Sequence, residues 1–154
     1  MDGQLDSAEQ QLKLMQVIEK FAETRTTEKS GRMHGLETVE GAYCMCDSTS
    51  DAFIRFAHAA GVTLELSRYD FDLDTTICLP EGGIQSQPSP RNPDPTLYQR
   101  GKHPTAEFHR AGWHAIVETP EFFLDFTARQ YHHEACYPHI ISKKLAAAAA
   151  AGGD

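Results

Sequence analysis

With 154 residues, 40% of them hydrophobic, the chain has the length and apolar content of one compact domain with a single core. A formal net charge of −8 argues against sequence-independent nucleic-acid binding, which needs a Lys/Arg surface to displace counterions, and gives no attraction to anionic lipid. No run of residues approaches the apolar length of a membrane span, and the stretch from Met1 to Gln10 is too polar for a signal peptide, so a cytoplasmic location is expected.

The four cysteines are too few for a disulfide scaffold; in a reducing compartment they are catalytic, metal-binding or simply buried. Residues 7–24 predict an amphipathic helix, because Leu14, Met15, Ile18, Phe21 and Ala22 recur at three- and four-residue spacing and Ser7 with Gln10 has a capping-box pattern. The polar stretch 25–41, which includes His34, reads as a loop. A second helix is expected from Cys46 to just before Gly61, with Phe53, Phe56, Ala57 and Ala60 on one face. Asp47, Ser48 and Ser50 suit its first turn as acceptors for unpaired N–H groups, and Gly61 suits its end.

Val62-Thr63-Leu64-Glu65-Leu66 alternates with period two and predicts a strand, and a weaker strand runs through 76–79. Residues 81–105 hold five of the eight prolines together with Gly82, Gly83 and Gly101, which predicts a long loop without regular structure, either a flap over a cleft or a disordered segment. The best-defined element is 112–126, two strands around Thr119-Pro120, where the proline marks the turn. Residues 127–141 are mixed and polar and are expected to pack irregularly over the sheet. The domain is taken as 1–142, and the alanine-rich stretch 143–154 as a low-complexity tail or expression scar.

A thiol nucleophile needs a base to take its proton and a group to orient that base. Cys46 stands at a helix start, where unpaired N–H groups and the helix dipole favour negative charge and where its own N–H can face an oxyanion. A four-residue turn over 118–121 would set His114 directly opposite Asp125 and Ile116 opposite Phe123. A two-residue slip keeps His114 and Asp125 on one face as diagonal neighbours, whereas a one-residue slip separates them. Inside Phe122-Phe123-Leu124-Asp125-Phe126 a carboxylate is costly unless paired, with His114 or, in a purely structural role, with Arg129.

Cys44 is a competing nucleophile two positions upstream. Cys44, Cys46, His133 and Cys136 form a rival zinc set, although Cys-x-Cys is not the usual knuckle spacing. Cys78 is expected in the core, Trp113 in the core or the wall of the site, and Arg129 with Gln130 in support of Asp125.

A cysteine at a helix start, a histidine on a strand and an aspartate on the next strand resemble the papain-like and transglutaminase-like cysteine enzymes. His114-Ala115-Ile116-Val117-Glu118 is similar to their His-Ala-aromatic-Val-Glu strand, with Ile116 in place of the aromatic residue. Asp125-Phe126-Thr127-Ala128-Arg129-Gln130-Tyr131 resembles an Asp-x-Thr-Ala-Arg-Gln-aromatic stretch of small bacterial and phage proteins of this kind. The glutamine that papain-like peptidases often carry upstream of the cysteine as an oxyanion donor is missing from 35–45, where Tyr43 or Trp113 is the substitute on offer. The resemblance implies an α+β papain-like/transglutaminase-like fold, with the nucleophile helix packed on an antiparallel sheet. It also implies a Cys46-His114-Asp125 triad that needs no cofactor or metal, and acyl transfer on an amide, isopeptide or ester bond of a protein or peptide substrate. The alternatives are a non-catalytic protein-binding module on the same fold and a zinc-stabilised module.

Overall fold

The computed structural model describes residues 6–99 and 112–151; the part of the expected 81–105 loop from residue 100 onward lies outside them. Helix α1, Ser7–Thr24, starts one residue earlier in its capping than Ser7-Gln10 suggested: the Asp6 side chain accepts from the Glu9 N–H at 2.8 Å. Gln10 is instead buried, and its side-chain oxygen accepts the Thr63 N–H at 2.8 Å. Val17 joins Leu14, Ile18, Phe21 and Ala22 on the buried stripe, and Met15 turns outward.

The expected loop 25–41 holds two single-turn helices, α2 (Thr27–Ser30) and α3 (Val39–Ala42). Thr26 caps the first and Thr38 the second, each by accepting a backbone N–H three residues on. Elements of four residues are too short to show a hydrophobic period, which is why the sequence pattern passes over them. Helix α4, Cys46–Ala59, buries Phe53 and Ala57 and ends at Gly61, whose φ of +94° suits a residue without Cβ.

The strand expected over 62–66 does not form. Val62 and Leu66 do point inward, but Thr63 is tied to α1 rather than to a neighbouring strand, and pairing begins only at Ser67. Alternating burial alone does not make a ladder. Strands β1 (Ser67–Asp72), β4 (Trp113–Glu118), β5 (Phe122–Asp125) and β6 (His139–Ser142) build an antiparallel sheet in the order β1-β4-β5-β6. Strands β2 (Asp74–Cys78) and β3 (Ile84–Pro88) form a separate two-stranded hairpin.

The proline-rich segment is not wholly irregular: it contains β3, and beyond it Asn92 and Tyr98 are buried. Residues 127–141 do not end irregularly either, since His139 opens the edge strand β6 and pairs with Asp125. Residues Lys143–Ala151 form helix α5, and Ala146 packs onto the sheet.

The fold is thus α+β, with two apolar clusters divided by the sheet. Val117, Leu124 and Phe126 meet α1 and α4 on one side, where Phe21, Phe53 and Phe126 stack edge-on or tilted with ring centres 4.8–5.3 Å apart. Ile116 and Phe123 belong to the other cluster, with Phe71, Tyr98 and Tyr131. Among the described residues no helix is long and apolar enough to cross a membrane.

Candidate active site

The β4–β5 turn decides where the candidate base meets its partner. Thr119 N–H donates to the Phe122 carbonyl at 2.9 Å, leaving only Pro120-Glu121 at the tip. The Thr119 hydroxyl closes the turn by accepting the N–H groups of Glu121 (3.3 Å) and Phe122 (3.1 Å). The turn is therefore shorter than the 118–121 loop expected from the sequence, and the ladder pairs Val117 with Leu124 and Glu118 with Phe123. Continuing that register sets Ile116, not His114, opposite Asp125. The direct opposition of His114 and Asp125 is thus corrected by a two-residue slip, which preserves the shared face.

On that face the His114 Nε2–H donates to Oδ2 of Asp125 at 2.8 Å, and both side chains are buried. Tyr98 donates its hydroxyl to the same oxygen at 2.6 Å. Thr127 serves the other oxygen through its N–H (2.8 Å) and its hydroxyl (3.0 Å). Four donors thus satisfy one buried carboxylate, which is the condition for keeping a charge in an apolar interior. Burial would raise the Asp125 pKa, but the His114 charge and these hydrogen bonds outweigh it and hold the group below the usual carboxylate range. Burial and the Asp125 charge push Tyr98 well above its ordinary value, so it remains a donor.

His114 shows the same contest with the signs reversed. Burial favours the neutral ring, yet the charge and hydrogen bond of Asp125, joined by Cys46, raise its pKa to about 9. Tyr131, Tyr98 and Phe71 surround the ring with centroid distances of 4.7, 5.1 and 5.7 Å. The second nitrogen, Nδ1, is buried and has no aligned hydrogen-bond partner among the described residues, although Cys46 is near enough to act on the charge of the ring.

Cys46 reaches this point because α4 docks against β4, with the Ser50 hydroxyl directed at the Ala115 carbonyl at 3.4 Å. Its side chain is buried while the other three cysteines are exposed. The first turn of α4 departs from expectation: where side chains cap α1, α2 and α3, none caps α4. Asp47 pairs with Arg68 instead, and Ser50 is committed to Ala115. The first turn of α4, which Cys46 opens, is thereby left without a side-chain cap among the described residues. Cys44 occupies the left-handed region (φ +60°) just before it, a conformation that costs a non-glycine residue about 1–2 kcal/mol.

Arg129 does not pair with Asp125 or support it. Its Nε donates to the Ala135 carbonyl (2.9 Å) and Nη1 to the Glu37 carbonyl (2.6 Å), so it fastens the 3-10 turn Ala128–Gln130 to the segment before α3. Gln130 is buried with its side-chain nitrogen unpartnered among the described residues. Cys78 lies exposed on β2 rather than in the core, and Trp113 is 39% exposed beneath the Arg68 guanidinium. Among the described residues no three His, Cys, Asp or Glu side chains converge to hold a metal ion, so Cys44, Cys46, His133 and Cys136 do not assemble the zinc set.

Tyr98 escaped the sequence reading altogether, and Thr127 and Tyr131 entered it only as parts of a resemblance. Thr127 had a local signal, since a threonine two residues after an aspartate can return two donors to that carboxylate. Tyr98 had none. It is brought in by Asn92, whose side-chain amide donates to the carbonyls of Leu73 and Tyr98, both at 3.0 Å. No protein-family model matches the chain, and no curated protein and no solved structure is detectably similar to it.

Proposed function

We propose that the chain is a thiol-dependent acyl-transfer enzyme with a papain-like or transglutaminase-like arrangement, Cys46 being the nucleophile, His114 the acid–base group and Asp125 the residue that holds His114. One observation carries the reading: a buried cysteine at the uncapped start of α4 stands beside a buried histidine whose far nitrogen is fixed by a fully hydrogen-bonded carboxylate. With Nε2 committed to Asp125, Nδ1 is the nitrogen free to take the sulfur proton. A histidine raised to about 9 keeps that proton at neutral pH until a leaving group needs it.

The Cys46 thiolate attacks the carbonyl carbon of an amide, isopeptide or ester in a protein or peptide substrate. The carbonyl oxygen gathers negative charge opposite the open N–H groups of α4, and the tetrahedral adduct collapses as His114 protonates the departing amine or alcohol. The resulting thioester passes its acyl group to water or to a second amine, whose proton returns to His114.

Iodoacetamide labelling at pH 6 tests this. An ordinary thiol with a pKa near 8.5 is then only about 0.3% thiolate, and exposure alone would make buried Cys46 the slowest of the four. The proposal expects Cys46 to be the fastest, and His114→Gln to remove its advantage. Labelling of Cys46 at or below the rate of Cys78 and Cys136 would sink it and leave a non-catalytic binding module.

A further inference from the structure

A cavity of about 210 Å³ opens between the end of α1, the segment joining α2 to α3, and the outer side of α4. Arg25, Arg32, Arg55 and His34 line it, and among the described residues no carboxylate does. This is unusual in a chain of net charge −8. Arg68 shows how the molecule treats an arginine elsewhere, with Asp47, Asp51 and Asp70 all around it. The three cavity arginines make no ion pair among the described residues.

Arg25 is also held in place. The Arg25 guanidinium lies 4.5 Å over the Phe21 ring, which fixes its plane, and its Nε is buried with no hydrogen-bond partner among the described residues. Hydroxyls of Ser30, Ser48 and Thr49 add further donors to the same wall. Arginine forks match the oxygens of carboxylates and phosphates, but a carboxylate offers only two of them. Three arginines and three hydroxyl side chains around one cavity suit a tetrahedral group with several unsubstituted oxygens.

We propose that this cavity binds the phosphate group of a small phosphate ester. Neither Cys46 nor His114 lines it, so the assignment stands apart from the thiol chemistry. The acidic remainder of the surface would repel an extended polyanion while admitting a single phosphate.

The test is a titration of the full chain with inorganic phosphate, followed by backbone amide NMR shifts at constant ionic strength. Saturable shifts confined to 25, 30–36 and 48–55 are expected, together with a loss of affinity of about tenfold or more in both Arg25→Gln and Arg55→Gln. Arg68→Gln should bind as the unaltered chain does. Arg55 lies on the exposed side of α4, so its variant still reports if Arg25→Gln fails to fold. Shifts that do not saturate, shifts spread over the whole surface, unchanged affinity in Arg55→Gln, or equal affinity for acetate would each overturn the assignment. Cys46→Ala should bind phosphate unchanged, which keeps this outcome separate from that of the labelling experiment.

Discussion

His114 and Asp125 meet across a diagonal of the β4–β5 ladder, two residues away from direct opposition, and still close a 2.8 Å hydrogen bond. Diagonal neighbours stand farther apart than opposed ones, within reach of a ring but not of a short side chain. The offset leaves the carboxylate open on its other sides, where Tyr98 and Thr127 dock. An aspartate held by three residues gives the imidazole one fixed orientation, with Nδ1 turned away from the carboxylate.

Replacing Asp125 with asparagine tests what the charge contributes. The ring would stay buried, so the desolvation that favours its neutral form would act unopposed and the His114 pKa would fall from about 9 to its usual range or below. A neutral imidazole cannot stabilise a neighbouring thiolate by charge. Iodoacetamide labelling of Cys46 at pH 6 should slow by at least about tenfold, one pKa unit of interaction being about 1.4 kcal/mol. An Asp125→Asn chain that labels as fast as the original would show that the carboxylate does not act through His114.

Tyr98→Phe separates support of the carboxylate from its charge. The variant keeps the ring contacts with Phe71 and Tyr131 and removes one donor of four. A hydrogen bond to a charged group contributes about 1.5–3 kcal/mol, so urea denaturation should show a loss of about that size. Because His114 and Thr127 still hold Asp125, Cys46 labelling should change no more than a few-fold. A loss of reactivity as deep as that of Asp125→Asn would make Tyr98 part of the proton path instead.

These two residues also mark how far the sequence could be read. The shared face of His114 and Asp125 survives because the register differs by two residues from the expected one, whereas the position of α4 and the β4–β5 hairpin follow from local patterning, and these two were legible. The register was not, because the turn length hangs on hydrogen bonds of the Thr119 hydroxyl that no hydrophobic pattern records. Strand β6 has four residues and polar ends, too little for a period-two signal. Tyr98 comes from a proline-rich stretch held by Asp94, whose carbonyl accepts the Tyr98 N–H, and by Asn92, which bridges the Leu73 and Tyr98 carbonyls. Long-range side-chain bonds of that kind leave no mark in spacing.

Stability should depend on pH through the same pair. His114 has a folded-state pKa raised from 6.5 to about 9, so the folded state holds a proton that the unfolded chain releases between those values. Its contribution is fully present below 6.5 and is lost as pH rises through about 9, amounting to roughly 3 kcal/mol across the window. Asp125 acts oppositely: its pKa is lowered, so its contribution is present above 3.8 and lost as pH falls through the folded value. Urea midpoints should therefore decline from pH 6.5 to 9. Ordinary thiols titrate in the same range, so the measured quantity is the difference between the chain and His114→Gln. That difference should shrink as pH rises; a constant difference would mean His114 is not held protonated.

Gly41→Ala tests whether the approach to Cys46 is rigid. A Cβ at Gly41 would run into the Gly35 carbonyl oxygen and come within 2.6 Å of the His34 oxygen, both backbone atoms that cannot swing aside. That Gly35 carbonyl already accepts the Thr38 hydroxyl at 2.7 Å, and Thr38 in turn caps α3 at the Gly41 N–H. Relief therefore requires α3 to move, and α3 leads through the strained Cys44 directly into the start of α4. Overpacking of this kind costs about 1–3 kcal/mol, and the shift should also slow Cys46 labelling. Gly31→Ala is the control: its φ of +74° penalises a side chain, but nothing lies within 4 Å, so it should lose stability and leave Cys46 as reactive as before. If Gly41→Ala behaves like Gly31→Ala, the geometry at Cys46 does not depend on the close packing of Gly35 and Gly41.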